Sequence, residues 1–365
     1  MRFEDRSVAC RGDMMSVRIT PVRIALIFGS TTLCCGAANA DSISNGHALR
    51  LKPVGGRAYP PVITALAINQ AEDLIAAAGD DHAIRLLGGP NFSEQRVIGR
   101  HNDWVRSLDF SPDGSTLLSA GNDGRIQIWR KSKDWKNPLD HEGGPALACA
   151  RFSSDGSRAV AVGFDPEIFL LRFANQPKFD LSCGCRDLRA AVFARGDQLL
   201  AVGGRSGALH VFSTVDGQML GDIPVHLGRL RDIAAIPSTN RLVSVGEDGR
   251  CGIVDLDQMQ RIKSVEVPGC KLLSVACIDS RHVAVGGSDN VIRVIDINDG
   301  STTRRLYGHQ GSVAVLKSRS EYLISGSYDT SIRFWRLDEV RERETLATIS
   351  TPGAAAIRVG QGEER

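Results

Sequence analysis

The chain has 365 residues, of which 42% are hydrophobic and 24% are charged, a composition that provides a sizeable apolar core. Its formal net charge is +2, and the residues from Asp41 onward carry 39 basic and 39 acidic side chains. Because nucleic-acid binders normally carry a basic excess, this balance argues against a nucleic-acid partner.

The first 40 residues have the features of an export signal. Arg18 and Arg23 precede a short apolar run that begins at Ile24, and Ala38 and Ala40 are the small residues that a signal peptidase requires. We therefore predict a leader over residues 1–40, cleaved after Ala40, and a periplasmic or extracellular mature protein. Retention in the cytoplasm with an uncleaved leader is the alternative.

Two further features of the leader bear on its boundaries. Acidic residues precede position 14 and are out of place in a signal, so the true start is predicted at Met14 or Met15. The apolar run is shorter than the roughly 20 residues of a membrane-spanning helix, so no stable membrane anchor is expected.

After the leader, one pattern recurs seven times: an apolar strand, a tight turn and a second strand that ends in a bulky apolar residue. The turn positions recur at a nearly constant interval, at Asp81, Asp123, Asp165, Ser206, Asp248, Asp289 and Asp329. A period this regular indicates a single structural unit copied seven times.

The second copy shows how each unit is expected to fold. Apolar and polar residues alternate over residues 105–110 and 126–129, as they do in half-buried strands. Residues 111–114 and 122–124 are turn sequences, since Pro presets φ while Asp and Gly tolerate positive φ. A fourth, outer strand follows. Seven such sheets bury their faces by packing radially into a ring, so the predicted fold is an all-β, seven-bladed β-propeller with four-stranded antiparallel blades.

The propeller is predicted to span residues 41–338, and residues 339–365 are predicted to form a mobile tail. The tail is charged at first and then rich in Gly and Ala. No phosphate-binding loop, nucleophile elbow or metal-ligand spacing occurs in the sequence, so no catalytic residue, cofactor or metal is expected.

Six cysteines remain after the leader, an even number that permits disulfides in an exported protein. Cys251 and Cys270 lie near the same end of one predicted hairpin, and we predict a disulfide between them. Buried free thiols are the alternative for all six, because most occupy apolar strand positions.

These repeats resemble the WD40-repeat β-propeller family over about residues 46–338. In that family a Gly-His pair opens each repeat and a Trp-Asp pair closes the third strand. Gly308 and His309 match the first pair, and Trp129 and Trp335 hold the Trp position, where Arg follows in place of Asp.

The resemblance implies a buried hydrogen-bond chain from Asp to His, from His to Ser and from Ser to the Trp N–H. It can be carried over residue by residue in two copies: His101, Ser119, Asp123 and Trp129, and His309, Ser325, Asp329 and Trp335. We interpret both sets as structural rather than catalytic, because the Ser lies between apolar neighbours within a sheet.

The resemblance also implies that an N-terminal strand completes the sheet of the last repeat and closes the ring. Residues 47–52 are predicted to provide this strand, and residues 344–349 are the competing segment.

The family resemblance further implies that partners dock on the face where the first strands begin and the turns lie. The predicted partner-binding residues on this face are Trp104, Arg106, Arg189, Arg205, Arg229, Arg231, Lys271 and Tyr328. The predicted function is a non-catalytic scaffold for a protein or peptide partner, and the basic residues of this face favour an acidic one. An enzyme or small-ligand binder that uses the central channel is the alternative, and the oligomeric state stays open.

Overall fold

The computed structural model describes residues 42–44, 47–142, 144, 146–173, 181–319 and 322–337. The leader predicted over residues 1–40, the tail predicted over 339–365 and the competing segment 344–349 lie outside the described residues. Within the described residues, two single-turn 3-10 helices occur, Pro90–Phe92 and Lys131–Lys133, and the remaining elements are strands.

The strands form seven sheets, as the repeat predicts, and each repeat supplies one blade. Two short strands, β1 (Ser42–Ser44) and β2 (His47–Arg50), precede the first repeat. Blade 1 contains β3 (Ile63–Asn69), β4 (Leu74–Gly79), β5 (Ala83–Gly88) and β6 (Glu94–Arg100). Blade 2 contains β7 (Val105–Phe110), β8 (Thr116–Gly121), β9 (Arg125–Arg130) and β10 (Leu139–Glu142). Blade 3 contains β11 (Leu147–Phe152), β12 (Arg158–Gly163), β13 (Glu167–Arg172) and β14 (Leu181–Ser182).

The second half of the ring repeats the same order. Blade 4 contains β15 (Leu188–Ala194), β16 (Leu199–Gly204), β17 (Ala208–Ser213) and β18 (Met219–Pro224). Blade 5 contains β19 (Leu230–Ala235), β20 (Arg241–Gly246), β21 (Arg250–Asp255) and β22 (Gln260–Glu266). Blade 6 contains β23 (Leu272–Cys277), β24 (His282–Gly287), β25 (Ile292–Asp296) and β26 (Thr302–Tyr307). Blade 7 contains β27 (Val313–Arg319), β28 (Tyr322–Ser327) and β29 (Ser331–Arg336).

The core lies between neighbouring blades. The second strand of each blade is buried along almost its whole length, as in β12 and β16, because neighbouring blades cover both of its faces. Outer strands such as β6 and β22 contain only exposed and half-buried residues.

Blade 7 combines strands from the beginning and from the end of the described chain. Strand β2 pairs antiparallel with β29, from His47 opposite Phe334 to Arg50 opposite Ser331. Ile63 of blade 1 packs with Ile324 of blade 7 in one buried cluster. Strand β1 adds a parallel fifth strand to blade 6, a feature that the repeat did not predict.

The pairing of the first and second strands shifts by one residue at the same place in all seven blades. The residue at each shift is the second of its inner strand: Thr64, Arg106, Ala148, Arg189, Arg231, Leu273 and Ala314. We call these seven residues the bulge ring. A β-bulge turns a side chain away from the regular pleat, and here the bulge ring lines the cavity at the centre of the propeller.

The strand directions define the two faces of the propeller. The second-to-third-strand turns, which contain the seven turn positions from Asp81 to Asp329, share the end at which the inner strands begin. We call this end the turn face. Because consecutive strands are antiparallel, the first-to-second and third-to-fourth connections lie at the opposite end.

Candidate functional site

The mouth of the central channel concentrates charged and aromatic side chains in one small space. Its cavity has a volume of about 110 Å³. It is lined by the bulge ring together with deeper residues of the inner strands, among them Arg151, Lys317 and Asp232.

Arg106 is held at this mouth by side chains of the turn face. Its Nε donates to Asn122 Oδ1 at 2.9 Å, and its guanidinium lies 4.8 Å from the centre of the Trp104 ring. Tyr328 of blade 7 also interacts with Arg106. The structure therefore brings together three of the predicted partner-binding residues, Trp104, Arg106 and Tyr328.

Arg189 of blade 4 is held at the mouth in a similar way. Its Nε lies 2.5 Å from Asp187 Oδ1, and its guanidinium stacks 4.3 Å from the centre of the Phe164 ring. Planar guanidinium groups favour this arrangement over an aromatic face.

The guanidinium groups at the mouth repel one another. Burial lowers the pKa of Arg106, and the charge of Arg231 lowers it further. Burial also lowers the pKa of Arg189, where the charges of Arg231 and Arg229 act against the stabilisation from Asp187. Side chains from blades 2, 4 and 5 thus form one positive cluster.

The predicted basic residues Arg106, Arg189, Arg229, Arg231 and Lys271, which we call the basic arc, are interleaved with carboxylates that were not among the predicted partner-binding residues. Glu247 lies 3.2 Å from Arg229, 3.4 Å from Arg231 and 3.8 Å from Lys271, measured between the nearest charged atoms. Arg229 also pairs with Asp187 at 2.9 Å. The arc is therefore an interleaved set of charges, and its most positive part is the cluster at the channel mouth. Arg205, the remaining predicted residue, is exposed at the turn of blade 4.

Large apolar side chains are exposed on the described part of the turn face, among them Phe164, Tyr328 and Leu227. Phe164 is 43% exposed, Tyr328 is 39% exposed and Leu227 is 89% exposed. Each lies beside a turn or beside the residue that opens a repeat. Leu227 was not among the predicted site residues, because a single leucine next to a histidine carries no pattern that marks it as exposed.

Deeper in the channel, charged side chains are tied to the inner strands. Asp109 Oδ2 accepts from the Phe152 N–H at 2.8 Å, and Asp232 Oδ2 accepts from the Val275 N–H at 3.0 Å, each across one blade boundary. Burial lowers the pKa of Lys317, and the charge of Arg151 lowers it further. The sequence analysis did not predict Asp109 or Asp232 as site residues, since neither lies at a strand start.

The two predicted hydrogen-bond networks are present in the structure. In blade 2, His101 Nδ1 lies 2.9 Å from Asp123 and its Nε2 lies 2.8 Å from Ser119 Oγ, which accepts from Trp129 Nε1–H at 3.0 Å. Gly99 makes room for this indole, because a Cβ there would lie 2.0 Å from the ring.

The same arrangement joins four residues of blade 7. His309 Nδ1 lies 2.9 Å from Asp329, its Nε2 lies 2.7 Å from Ser325 Oγ, and Trp335 Nε1–H donates to that oxygen at 2.9 Å.

Blade 5 contains a third network that sequence reasoning missed. His226 lies 3.0 Å from Asp248 and 2.9 Å from Ser244 Oγ. Val254 occupies the place of the Trp, which concealed the match. The spacing could have revealed it, because the interval from His226 to Asp248 equals the interval from His101 to Asp123.

The Ser, His and Asp of blade 2 have the connectivity of a catalytic triad, but the Ser lacks access. Ser119 is fully buried and already accepts the Trp129 N–H. A nucleophile must reach its substrate, so this geometry supports the structural interpretation of these residues.

In blades 1 and 6, the turn carboxylate pairs with an arginine of the described chain in place of the network histidine. Asp81 pairs with Arg85, four residues later, with Oδ1 3.1 Å from Nη1, and both side chains are buried. Asp289 pairs with Arg293 at the same spacing, at 2.6 Å.

The predicted disulfide between Cys251 and Cys270 is not present, and both residues are free thiols. Cys251 lies opposite Val265 in the ladder of blade 5, whereas Cys270 lies beyond the end of β22, with its Sγ 3.5 Å from Lys271 O. The hairpin register therefore separates them. Burial raises the pKa of Cys251 to about 12.

Blade 4 brings together a group that the sequence analysis did not expect. Sγ of Cys183, Sγ of Cys185 and a ring nitrogen of His210 lie within 4.8 Å of one another. Burial and the neighbouring Cys183 raise the pKa of the Cys185 thiol to about 12. Sequence reasoning found no metal-ligand spacing because the histidine is distant from the two cysteines along the chain and meets them only in the folded blade.

Residues 92–130 and 300–336 match the family model described as "WD domain, G-beta repeat". These regions include the third strands and networks of blades 2 and 7. Striatin from Mus musculus is 23% identical over 297 residues, covering 76% of this chain and 35% of that protein. Nuclear distribution protein PAC1 from Arthroderma benhamiae is 22% identical over 305 residues, covering 76% of this chain and 59% of that protein.

A third relative is the WD repeat-containing protein 91 homolog from Dictyostelium discoideum. It is 22% identical over 288 residues, which cover 73% of this chain and 37% of that protein. This chain thus spans between 35% and 59% of the length of these relatives. The resemblance to the WD40-repeat family is confirmed.

Proposed function

We propose that this WD40-repeat β-propeller is a non-catalytic scaffold that docks a protein or peptide partner on its turn face. The observation that carries the proposal is the channel mouth, where Arg106 and Arg189 converge beside Trp104, Tyr328 and Phe164. Arginine and aromatic side chains dominate binding hot spots in protein interfaces.

The charge around the cavity favours an anionic group in the partner. Among the described residues, five cationic side chains line the cavity against one carboxylate, that of Asp232; the five are Arg106, Arg151, Arg189, Arg231 and Lys317. A carboxylate seated at the mouth would offset both the burial and the neighbouring positive charges that lower the pKa of Arg106 and Arg189. We therefore propose that the partner contributes an acidic side chain or its C-terminal carboxylate.

The size of the cavity favours a docked polypeptide over a small ligand held inside. Small-molecule sites usually enclose roughly 300–1,000 Å³, whereas this cavity measures about 110 Å³. The surrounding face adds the exposed Leu227 and Phe164, which a larger partner can cover.

We also propose that the protein acts outside the cytoplasm, after cleavage of the leader following Ala40. The support is the sequence pattern of the leader, since those residues lie outside the described structure. Within the described residues, the structure contains no helix that is long and apolar enough to cross a membrane.

The test is quantitative capture of binding proteins from the periplasmic or extracellular fraction of the source cells, with purified protein as bait. We expect Arg231→Glu and Trp104→Ala each to capture smaller amounts of the same proteins than the wild type does. Arg305→Glu serves as the matched control, because Arg305 is exposed on the outer strand β26, away from the channel mouth.

Circular dichroism and thermal melting establish that each bait is folded. If the folded Arg231→Glu and Trp104→Ala baits capture the same proteins as the wild type, the turn face is not the docking surface. If small anions bind at the channel and neither variant captures less of any protein, the protein is instead a small-ligand binder that uses the central channel.

A further inference from the structure

The connection that leads into blade 4 carries the sequence Cys183-Gly-Cys185, and its two thiols face His210 of strand β17. Sγ of Cys185 lies 2.9 Å from Nε2 of His210, and Ser206 Oγ lies 3.2 Å from the same nitrogen. The backbone N–H of Cys185 donates to Cys183 Sγ at 3.4 Å, which holds the two sulfurs on one side of the loop.

The other nitrogen of His210 is fixed by a carboxylate. Nδ1 forms a short hydrogen bond with Asp222 of the neighbouring strand β18. Because an ionised carboxylate can only accept, this contact favours the tautomer with its proton on Nδ1 and with the lone pair of Nε2 directed at the Cys185 thiol. Histidines that bind metals are usually oriented by such a carboxylate on the second ring nitrogen.

The cluster occupies the position in blade 4 that corresponds to the hydrogen-bond networks of blades 2, 5 and 7. Cys185 precedes the turn residue Ser206 by about the same interval at which the network histidines of blades 2, 5 and 7 precede theirs. Blade 4 has Ser in place of the turn Asp, and Val202 in place of the network Ser. The described part of blade 4 therefore lacks the structural hydrogen-bond network, and two sulfurs and an imidazole occupy the corresponding space.

We propose that Cys183, Cys185 and His210 bind one Zn²⁺ ion, with Asp222 as the positioning residue for the imidazole. Two thiolates and one imidazole are a ligand set that Zn²⁺ prefers, and the fourth position is left for water or the nearby hydroxyl of Ser206. Ligand atoms around a tetrahedral zinc are separated by roughly 3.5–4 Å, given Zn–S and Zn–N distances of about 2.3 and 2.0 Å. The three atoms already lie within 4.8 Å of one another.

The ion would tie the connection between blades 3 and 4 to the third strand of blade 4. It would thereby stabilise blade 4 in the way that the hydrogen-bond networks stabilise blades 2, 5 and 7. The site is separate from the proposed docking function and does not depend on it.

The test is zinc binding by the reduced full chain, measured by competition with a chromophoric chelator and by native mass spectrometry. We expect one tightly held Zn²⁺ per chain and a higher melting temperature with Zn²⁺ than with EDTA. Cys185→Ser and His210→Gln should each weaken binding by more than about 100-fold, and Asp222→Asn by about 10- to 100-fold.

Two variants serve as controls, and both should bind zinc as the wild type does. Cys277→Ser removes a partly exposed thiol of blade 6, and the triple change of Cys10, Cys34 and Cys35 to Ser removes the thiols of the predicted leader. Weaker binding in either control would assign the zinc to other cysteines.

Substitution with Co²⁺ in the wild-type chain provides a measurement that does not depend on how the variants fold. Thiolate-to-cobalt absorption that Zn²⁺ abolishes would support the site. Absence of that absorption would overturn the proposal. A Cys183–Cys185 disulfide that persists in the native protein after mild reduction would also overturn it.

Discussion

The turn carboxylates have different hydrogen-bond partners in different blades, although the residue type is the same. Asp123 and Asp329 accept from a buried His and also from a backbone N–H of the opening loop. Asp248 does the same in blade 5. Asp165 of blade 3 has no such histidine among the described residues, since His141 lies in strand β10 opposite Ile126.

We therefore predict that Asp123→Ala, Asp248→Ala and Asp329→Ala destabilise the fold more than Asp165→Ala. Each of the first three leaves a buried imidazole without its acceptor, at a cost of about 1–3 kcal/mol in the free energy of unfolding. Chemical denaturation of the four variants measures the difference. Equal losses in all four would contradict the structural role of the networks.

The pH dependence of stability should report on the same carboxylates. Hydrogen bonds from His309 and Ser331 outweigh the effect of burial and hold the pKa of Asp329 well below its usual value. A depressed pKa stabilises the folded state above the unfolded value of about 3.9, and this contribution is lost as the pH falls through the folded pKa. The wild type should therefore lose stability progressively as the pH falls below that unfolded value.

Asp329→Asn tests this account, because an amide does not titrate in this range. The variant should be less stable at neutral pH and should lose less stability on acidification than the wild type does. Asp165→Asn is the control and should follow the wild-type curve. Parallel curves for the wild type and Asp329→Asn would contradict the account.

At the scale of the strand, the segment before the first repeat contributes to the core of blade 7 as well as to its edge. Leu51, which follows β2, is 1% exposed and packs in one cluster with Ile63 and Ile332. Leu51→Ala should lower the free energy of unfolding by about 2–4 kcal/mol, since it leaves a cavity between the first and last blades.

Val215→Ala provides the comparison for this change, because Val215 is 73% exposed in a turn of blade 4. It should alter stability by less than about 0.5 kcal/mol. A Leu51→Ala variant as stable as Val215→Ala would mean that the segment is not part of the folded core.

The strand pattern was predictable from sequence because each period of the repeat is one complete structural unit. The alternation of apolar residues within each copy assigned the strands, and the Asp-Gly turns marked their ends. The bulge ring was not predictable, because a bulge keeps the same residues and changes only their pairing. The repeat placed Arg106 and Arg231 on the turn face, but their convergence on the channel depends on that shift.

The candidate sites were less predictable than the strands, for a physical reason. Glu247 and Lys271 belong to neighbouring blades and meet only in the closed ring, whereas Cys185 and His210 meet only in the folded blade 4. A pattern with a fixed period detects what the copies share, whereas these contacts lie where the copies differ.

At the scale of the whole molecule, the turn face should bind its partner with a measurable dependence on salt. Exposed charges are screened over about 8 Å at physiological ionic strength. We predict that Arg229→Glu and Arg231→Glu together slow association with a partner captured by the wild type, because charges at the rim act mainly on encounter. Trp104→Ala should instead speed dissociation, since it removes an aromatic anchor. Surface plasmon resonance separates the two rates, and unchanged rates in both variants would remove the electrostatic part of the proposal.

The mature form of the chain should begin at Asp41 if the protein is exported as proposed. Mass spectrometry of the protein purified from its native cells identifies the N-terminus. Recovery of residues 15–40 in the mature chain would contradict export by cleavage after Ala40.

The most direct test of the docking proposal is photo-crosslinking in living cells from one exposed position on each face. A photoreactive residue at Leu227, which is 89% exposed on the turn face, should form a covalent adduct with the partner, and Arg231→Glu should weaken that adduct. The same residue at Val215, which lies at the opposite end of the propeller, should form none. Adducts from position 215 with none from position 227 would contradict the assignment of the turn face as the docking surface.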